Sequence, residues 1–247
     1  MKKLLLFSCC VALAILAACQ ITIKNNRNEA KPENIEYLQP FNVNVQNFNN
    51  LQVQGCMNLK IIIDKKIEKP KLKIIPYKEK NPITFGNYKK YIELKKQKET
   101  LTIGNITKTK KLGRREFTIN TMPQRAKLTL HCNDFKSIDV FAASNVSITG
   151  ENQSDLEITI VDASNVLIKG QGENLTANLS GASTLNSINY KVDNIKITMS
   201  GSSNAKLFCT NDLDIKLMGL SSCIYYGNPQ NVTSDIKDKS NLIKASQ

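Results

Sequence analysis

An internal repeat of about twenty residues is the feature that most restricts the fold of this chain. The segment ASNVSITG at residues 143–150 recurs as ASNVLIKG at residues 163–170. A unit this short cannot bury an apolar face alone, so neighbouring units must stack on one another. With the serine of each unit as the origin, the register continues through Ser144, Ser164, Ser183, Ser203, Ser221 and Ser240.

Apolar residues occupy fixed positions around these serines. The position two residues after the serine holds Val146, Val166, Leu185, Ala205, Cys223 and Leu242. The position four residues before it holds Val140, Ile160, Leu179, Met199, Leu217 and Ile236, and the spacing of two continues to the positions six and eight before it. Apolar steps of two on both sides of a turn indicate two strands per unit that share one interior. The repeat therefore predicts an all-β protein, a parallel β-helix or β-solenoid with turns about 4.8 Å apart.

Turn-forming residues keep the same register. Asparagine follows the serine in four units, and we expect it to supply left-handed turns and a hydrogen-bonded amide ladder. Asp162, Gly181, Gly201, Gly219 and Asp238, two residues before the serine, are further turn formers. An antiparallel sandwich with hairpins of equal length is the alternative, but the single register of ladder and apolar columns favours the solenoid.

Strand-like alternation also fills the part of the chain before the repeat. Examples are FNVNV at residues 41–45 and LQVQG at residues 51–55, and no convincing amphipathic helix interrupts them. We divide the chain into a signal peptide (1–18), a lipidated N-terminus and tether (19–40), a basic all-β N-terminal part of the solenoid (41–131) and the regular repeats (132–247).

The N-terminus has the pattern of an export signal. Lys2 and Lys3 precede the apolar residues 4–14, and LAAC at residues 16–19 resembles the bacterial lipobox. This pattern predicts lipidation of Cys19 and attachment to a membrane through the lipid, in the cell envelope and on the outer membrane, either facing the periplasm or exposed at the surface. An ordinary signal peptide is the alternative, and the sequence does not identify the membrane leaflet.

Few residues are available for His or Cys chemistry. The chain has one histidine, His131, which excludes metalloprotease-type His pairs and most Ser/His/Asp triads. Cys56, Cys132, Cys209 and Cys223 remain after the signal and the lipidated cysteine, and their spacing fits no metal site. We therefore predict that the protein binds no metal and no cofactor. We expect Cys223 to be a small buried apolar residue and Cys209 to lie in a turn. The disulfide state stays open.

Carboxylates give no catalytic constellation. Asp162, Asp193, Asp212, Asp214 and Asp235 are scattered through turns and outward positions, without a paired or repeated cluster. The calcium-binding nonapeptide pattern of some β-helices is absent as well. We therefore predict a non-catalytic binding or adhesion scaffold, and the alternative function is a β-helix lyase or hydrolase that acts on acidic glycans.

Charge is concentrated in the middle of the chain. Residues 60–131 hold 20 Lys or Arg and 6 Asp or Glu, whereas residues 132–247 hold 9 and 12. This block predicts a site for an anionic polysaccharide or cell-surface glycan, and its alternative is a solvated surface with lysine-protected edge strands. Anchoring in the envelope argues against nucleic acid as the ligand. The terminal turn of a solenoid has unpaired strand edges, so a homodimer that pairs these edges is possible. The candidate polyanion-binding residues are Lys89, Lys90, Lys95, Lys96, Lys108, Lys110, Lys111, Arg114 and Arg115.

The turns and the C-terminal segment resemble a known family. The segments GSSN at residues 201–204, SSCIYYGNP at residues 221–229 and KSNL at residues 239–242 are similar to the putative auto-transporter adhesin, head GIN domain family of bacterial lipoproteins. The resemblance covers about residues 40 to 245. It implies a pectin-lyase-like β-helix that has no catalytic residues and a role in adhesion.

Overall fold

The protein consists almost entirely of β-strands. A computed structural model describes residues 36–112, 115–120 and 125–246. Among these residues, no helix is long and apolar enough to cross a membrane. The strands are β1 (Phe41–Asn44), β2 (Asn50–Gln54), β3 (Asn58–Ile63), β4 (Lys71–Pro76), β5 (Ile92–Gln97), β6 (Thr100–Asn105), β7 (Thr107–Leu112), β8 (Arg115–Asn120), β9 (Ala126–Cys132), β10 (Ser137–Val140), β11 (Asn145–Ile160), β12 (Asn165–Leu179), β13 (Thr184–Met199), β14 (Asn204–Leu217), β15 (Ser222–Tyr226), β16 (Asn231–Ile236) and β17 (Asn241–Lys244), and a short 3-10 helix lies at Tyr88–Lys90.

The long strands bend at a corner, so their two halves belong to two sheets that enclose one core. The first sheet contains β1, β4, β9, β3, the first halves of β11 to β14, β15 and β17 in that order. The second sheet contains β5, β6, β2, β10, the second halves of β11 to β14 and β16.

Pairing along the repeat is parallel, as predicted. Val146 lies opposite Val166, and Val166 lies opposite Leu185 in the next turn. The serines at the origin of the first five units are fully buried. The parallel pairing excludes the antiparallel sandwich and confirms the β-solenoid with repeats about 20 residues apart. In the last unit, however, the apolar columns are not covered, and Val232 and Ile236 are each 45% exposed.

A long excursion separates the first turn from the repeat. β2 and β3 form a turn on which β10 and β11 stack, although Asn50 and its neighbour Ser137 are 87 residues apart in the sequence. The intervening residues 64–136 build the N-terminal end of the solenoid. There β6 and β9 continue the parallel stack, and β4 and β5 close it with antiparallel pairs.

The left-handed turn residues are not the asparagines. Positive φ angles occur two residues before the serine, at Asp162 (φ 66°), Gly201 (φ 75°) and the equivalent positions of the other units. The asparagines are instead the first residues of strands, and Asn165 and Asn145 form the predicted ladder with Asn58, whereas the Asn204 side chain bonds within its own turn. The prediction of a left-handed asparagine was therefore wrong. The chain turns two residues before the buried serine, and the asparagine after the serine already has the extended backbone of a strand.

Cys209 also differs from the prediction. It lies within β14 with no exposed surface, and its thiol contacts the carbonyl oxygens of Asp193 and Asp212. It is an interior residue because a register shift at the corner places it opposite the buried Val192 of the preceding turn. Cys223 is buried, as predicted.

Candidate functional site

Charge is divided between the outer sides of the two sheets. The strand residues of the first sheet, which in β11 to β14 end at the corner residues Gly150, Gly170, Tyr190 and Phe208, include no Asp or Glu, and Glu151, Glu173 and Asp193 follow the corner. The second sheet carries Glu93, Asp139, Asp155, Glu157, Asp212, Asp214 and Asp235 together with Lys95, Lys96, Lys196 and Lys216. We call the outer side of the first sheet the basic face, and its strand lysines are Lys60, Lys71, Lys73, Lys127, Lys169, Lys206 and Lys244.

The lysines of the basic face are densest where β4, β9 and β3 lie side by side. Thr129 lies opposite both Lys60 and Lys73, so these three residues form one row across the strands. His131 and Lys71 occupy the next row. Alternate residues of these strands are buried, which turns the lysine side chains to the outside. The ion pairs among described residues, Lys78–Glu36, Arg125–Glu79 and Lys237–Asp235, do not involve this cluster.

The only histidine of the chain lies within this cluster. Burial lowers the pKa of His131 below its usual 6.5, and the positive charges of Lys71, Lys73 and Lys60 lower the pKa further. Three cations that act on one imidazole show that the cluster produces a concentrated positive potential. The imidazole is neutral at pH 7 and can accept or donate a hydrogen bond there.

An amide ladder lies next to the cluster. The side chain of Asn165 donates a hydrogen bond of 2.9 Å to Asn145, and Asn145 donates one of 3.0 Å to Asn58. These amides line a shallow groove of about 550 Å³ together with Lys60, Lys127 and Tyr77. The groove thus presents amide groups, lysines and a tyrosine on one surface.

An aromatic pair forms the border of the groove. The rings of Tyr37 and Tyr77 meet edge to face with centroids 5.4 Å apart, and Lys127 Nζ lies 4.2 Å from the centre of the Tyr37 ring. Burial raises the pKa of Tyr77, and the ring of Tyr37 adds to the rise. Ammonium groups attract carboxylate or sulfate, amides bond hydroxyl groups, and aromatic rings contact the apolar sides of sugars.

The residues predicted from sequence lie elsewhere. Lys89 and Lys90 are exposed on the 3-10 helix, and Lys95 and Lys96 are exposed on β5 at the edge of the second sheet. Lys108, Lys110, Lys111 and Arg115 belong to the β7–β8 hairpin, of whose side chains nothing is described, and Arg114 and Cys19 lie outside the described residues. None of the lysines in the β4–β9–β3 cluster was in the predicted set.

Of the aspartates considered for catalysis, Asp212 and Asp214 line one shallow groove together with asparagines of neighbouring turns, and Asp162, Asp193 and Asp235 are not among its lining residues. Asp162 accepts a hydrogen bond from the Ala142 amide across a turn, and Asp193 accepts one from Thr210. Asp212 accepts a bond from Asn231, and Asp235 pairs with Lys237. No group of three or more His, Cys, Asp or Glu in the described part of the chain is arranged to hold a metal ion.

Cys132, Cys209 and Cys223 are free thiols. Burial raises the pKa of Cys132 and of Cys223 to about 12 and also raises that of Cys209. A thiolate is therefore strongly disfavoured at these three positions, which makes them interior apolar residues rather than nucleophiles.

Comparison with known proteins agrees with the fold. The family described as putative auto-transporter adhesin, head GIN domain, matches residues 31–229. A putative adhesin from Bacteroides fragilis NCTC 9343 superposes with a TM-score of 0.56 at 15% identity over 84% of this chain and 97% of that chain. A putative lipid binding protein from Parabacteroides distasonis ATCC 8503 superposes with a TM-score of 0.55 at 14% identity over 84% of this chain and 96% of that one. No curated protein matches the chain.

Proposed function

Because the chain belongs to the putative auto-transporter adhesin, head GIN domain family, we propose that it is a lipid-anchored cell-envelope protein that binds anionic glycans. The ligand lies on the basic face, and the β-solenoid is a non-catalytic scaffold for it. The lipid is attached to Cys19 and holds the protein on the outer membrane, which suits adhesion or envelope organisation. The lipobox-like LAAC at residues 16–19 supports the anchor.

The observation that carries the binding proposal is the absence of acidic residues from the strands of the first sheet. Lys60 on β3, Lys71 and Lys73 on β4 and Lys127 on β9 converge there and have no carboxylate partner among the described residues. Keeping like charges close together weakens folding slightly, so an anionic ligand that neutralises them gains binding energy. A regular, flat surface suits an extended polymer better than a small molecule.

The test is retention on immobilised heparin and on immobilised polygalacturonate as a function of salt. The variant K60Q/K71Q/K73Q/K127Q removes the cluster, and K95Q/K96Q/K196Q/K216Q removes the same charge from the second sheet. We expect the first variant to elute at much lower salt than the second. Equal elution of the two variants would show that net charge, not the basic face, determines retention.

The anchor has its own test. Metabolic labelling with a radioactive fatty acid should label the wild-type protein in its native host and leave Cys19→Ser unlabelled. The share of the protein found in the membrane fraction should fall when the label is lost. A labelled Cys19→Ser protein, or an unlabelled wild type, would refute lipidation without affecting the glycan proposal.

The polysaccharide-cleaving alternative lacks comparable support. Asp162, Asp193, Asp212 and Asp235 each take part in a turn contact, an inter-turn hydrogen bond or an ion pair. Release of new reducing ends or unsaturated sugars from polygalacturonate, with or without Ca²⁺, would favour the enzyme over the scaffold.

A further inference from the structure

Residues 77–91 form a loop that crosses the N-terminal end of the solenoid. The loop begins after β4 in the first sheet and ends before β5 in the second sheet. Ile83 and Tyr88 are buried in the core, so the loop is fixed at two points. We call residues 77–91 the tip loop.

Hydrogen bonds hold the outermost part of the tip loop in one shape. The Thr84 amide donates to the Asn87 side chain over 2.8 Å, and the Thr84 carbonyl accepts from the amides of Asn87 and Tyr88. The Asn87 side chain also donates to the Pro82 carbonyl over 3.1 Å. The residues between Thr84 and Asn87 are therefore presented outward on a rigid turn.

This rigid turn exposes a large aromatic side chain. Phe85 is 64% exposed, the highest fraction among the large hydrophobic residues described, although its ring meets Phe41 edge to face at 5.9 Å. Exposing a phenylalanine at the outermost point of a loop costs hydrophobic free energy unless another apolar phase covers it.

The tip loop that carries Phe85 also carries several lysines. Lys78 and Glu79 are neutralised by ion pairs with Glu36 and Arg125. Lys80, Lys89 and Lys90 are exposed and belong to none of the ion pairs among described residues. The loop therefore presents one exposed apolar ring together with three lysines that have no ion-pair partner among the described residues.

The chain toward Cys19 leaves the solenoid beside this loop. The Lys78 amide donates a hydrogen bond of 2.8 Å to the Glu36 carbonyl, and the side chains of the same residues form an ion pair. Glu36 is thus fixed to the base of the tip loop, and Cys19 precedes it by only 17 residues. An anchor at Cys19 would therefore be joined to the solenoid at the end that carries the tip loop.

We propose that the tip loop docks on an anionic bilayer surface, which rests on the proposed lipid anchor for its effect in the cell. Phe85 enters the boundary between head groups and acyl chains, and Lys80, Lys89 and Lys90 contact lipid phosphates. An exposed aromatic ring on a loop with unpaired lysines fits the interface of a bilayer, whereas the groove of the basic face, with its amides and lysines, fits a glycan. Because the anchor raises the local concentration of the loop at the bilayer, weak docking is enough to orient the solenoid.

Vesicle binding without the lipid tests this proposal separately from the anchor. The chain from residue 19 onward, with Cys19→Ser, is sedimented with vesicles of phosphatidylcholine and phosphatidylglycerol or of phosphatidylcholine alone. We expect binding to the anionic vesicles and a several-fold loss with Phe85→Ser or with K80Q/K89Q/K90Q. The matched controls are Leu220→Ser, which changes a residue 62% exposed outside the tip loop, and K95Q/K96Q/K196Q.

A single tryptophan gives a direct measure of depth, because the chain has no Trp. Phe85→Trp should shift its emission to the blue and be quenched by brominated acyl chains on anionic vesicles, whereas Leu220→Trp should not change. Binding that survives in Phe85→Ser but is lost in K60Q/K71Q/K73Q/K127Q would overturn the proposal and assign the bilayer contact to the basic face. Absence of vesicle binding would also overturn it, whether or not Cys19 proves to be lipidated.

Discussion

His131 on β9 lies directly opposite Lys71 on β4, on the outer side of an antiparallel pair. An imidazole beside a fixed cation reports on the local potential, and here it is the only imidazole in the chain. This pair makes the electrostatics of the basic face measurable in solution.

The pKa of His131 should therefore depend on the basic face. We expect it to lie below 6.5 in the wild type, to rise in Lys71→Gln or Lys73→Gln, and to stay unchanged in Lys196→Gln on the second sheet. A polyanion bound to the basic face should raise it too, so binding should tighten as the pH falls. The titration of the imidazole proton resonances by NMR measures all three effects, and an insensitive pKa would contradict the assignment of the site.

The same shift has a consequence for stability with a definite sign. The protonated imidazole is disfavoured in the folded protein, so the contribution of His131 to stability is present above its ordinary pKa of 6.5. That contribution is lost as the pH falls through the lower folded-state pKa. Urea denaturation of wild type and His131→Gln across this range should show a pH dependence in the wild type that the variant lacks.

The glycine column should be sensitive to a single methyl group. Gly201 has φ 75°, and a Cβ there would lie 2.6 Å from the Gly181 carbonyl oxygen. We expect Gly201→Ala to lower the free energy of unfolding by about 1–3 kcal/mol. Gly86→Ala is the control, since its Cβ would meet nothing closer than 3.9 Å. Equal denaturation midpoints for the two variants would show that the backbone around Gly181 and Gly201 can shift to accept the methyl group without loss of stability.

The asparagine ladder should contribute to stability through its middle residue. Asn145 both accepts and donates a side-chain hydrogen bond between turns, so Asn145→Ala should cost about 1 kcal/mol. The side-chain amide of Asn204 donates a hydrogen bond to the Ser202 carbonyl within its own turn, so it does not join neighbouring turns. Asn204→Ala should therefore cost less. Differential scanning calorimetry of the two variants compares the costs, and the reverse order would mean that the ladder has no stabilising role.

Thiol labelling should distinguish one cysteine from the other three. Cys132, Cys209 and Cys223 have no exposed surface, whereas Cys56 is partly exposed. In the folded chain from residue 19 onward with Cys19→Ser, we expect iodoacetamide to add one label, at Cys56, and in urea to add four. Intact mass followed by peptide mapping gives the count and the site. Rapid labelling of an interior cysteine would indicate that the solenoid opens locally at that turn.

The fold was readable from sequence because stacked turns repeat their pattern. Val146, Val166 and Leu185 share a column in the sequence and in the core. The basic face was not readable in the same way. Lys60, Lys73 and Lys127 are neighbours only because β9 pairs with β3 in parallel and with β4 in antiparallel orientation, and no local pattern encodes that register. The sequence prediction relied on adjacent lysine pairs such as Lys89 and Lys90. Lysines two positions apart in one strand, such as Lys71 and Lys73, would have been more informative, because alternate residues of a strand lie on the same face.

The excursion between β3 and β10 has a consequence for how the chain reaches this structure. Turns of the repeat close loops of about 20 residues, whereas the contact between Asn50 and Ser137 closes one of 87. The longer loop costs about 1 kcal/mol more in chain entropy before its contacts form. The repeats should therefore nucleate and grow first, and β1 to β9 should join a solenoid that already exists. The tip loop and the β4–β9–β3 cluster, which form the two proposed binding surfaces, would then be the last parts of the molecule to mature.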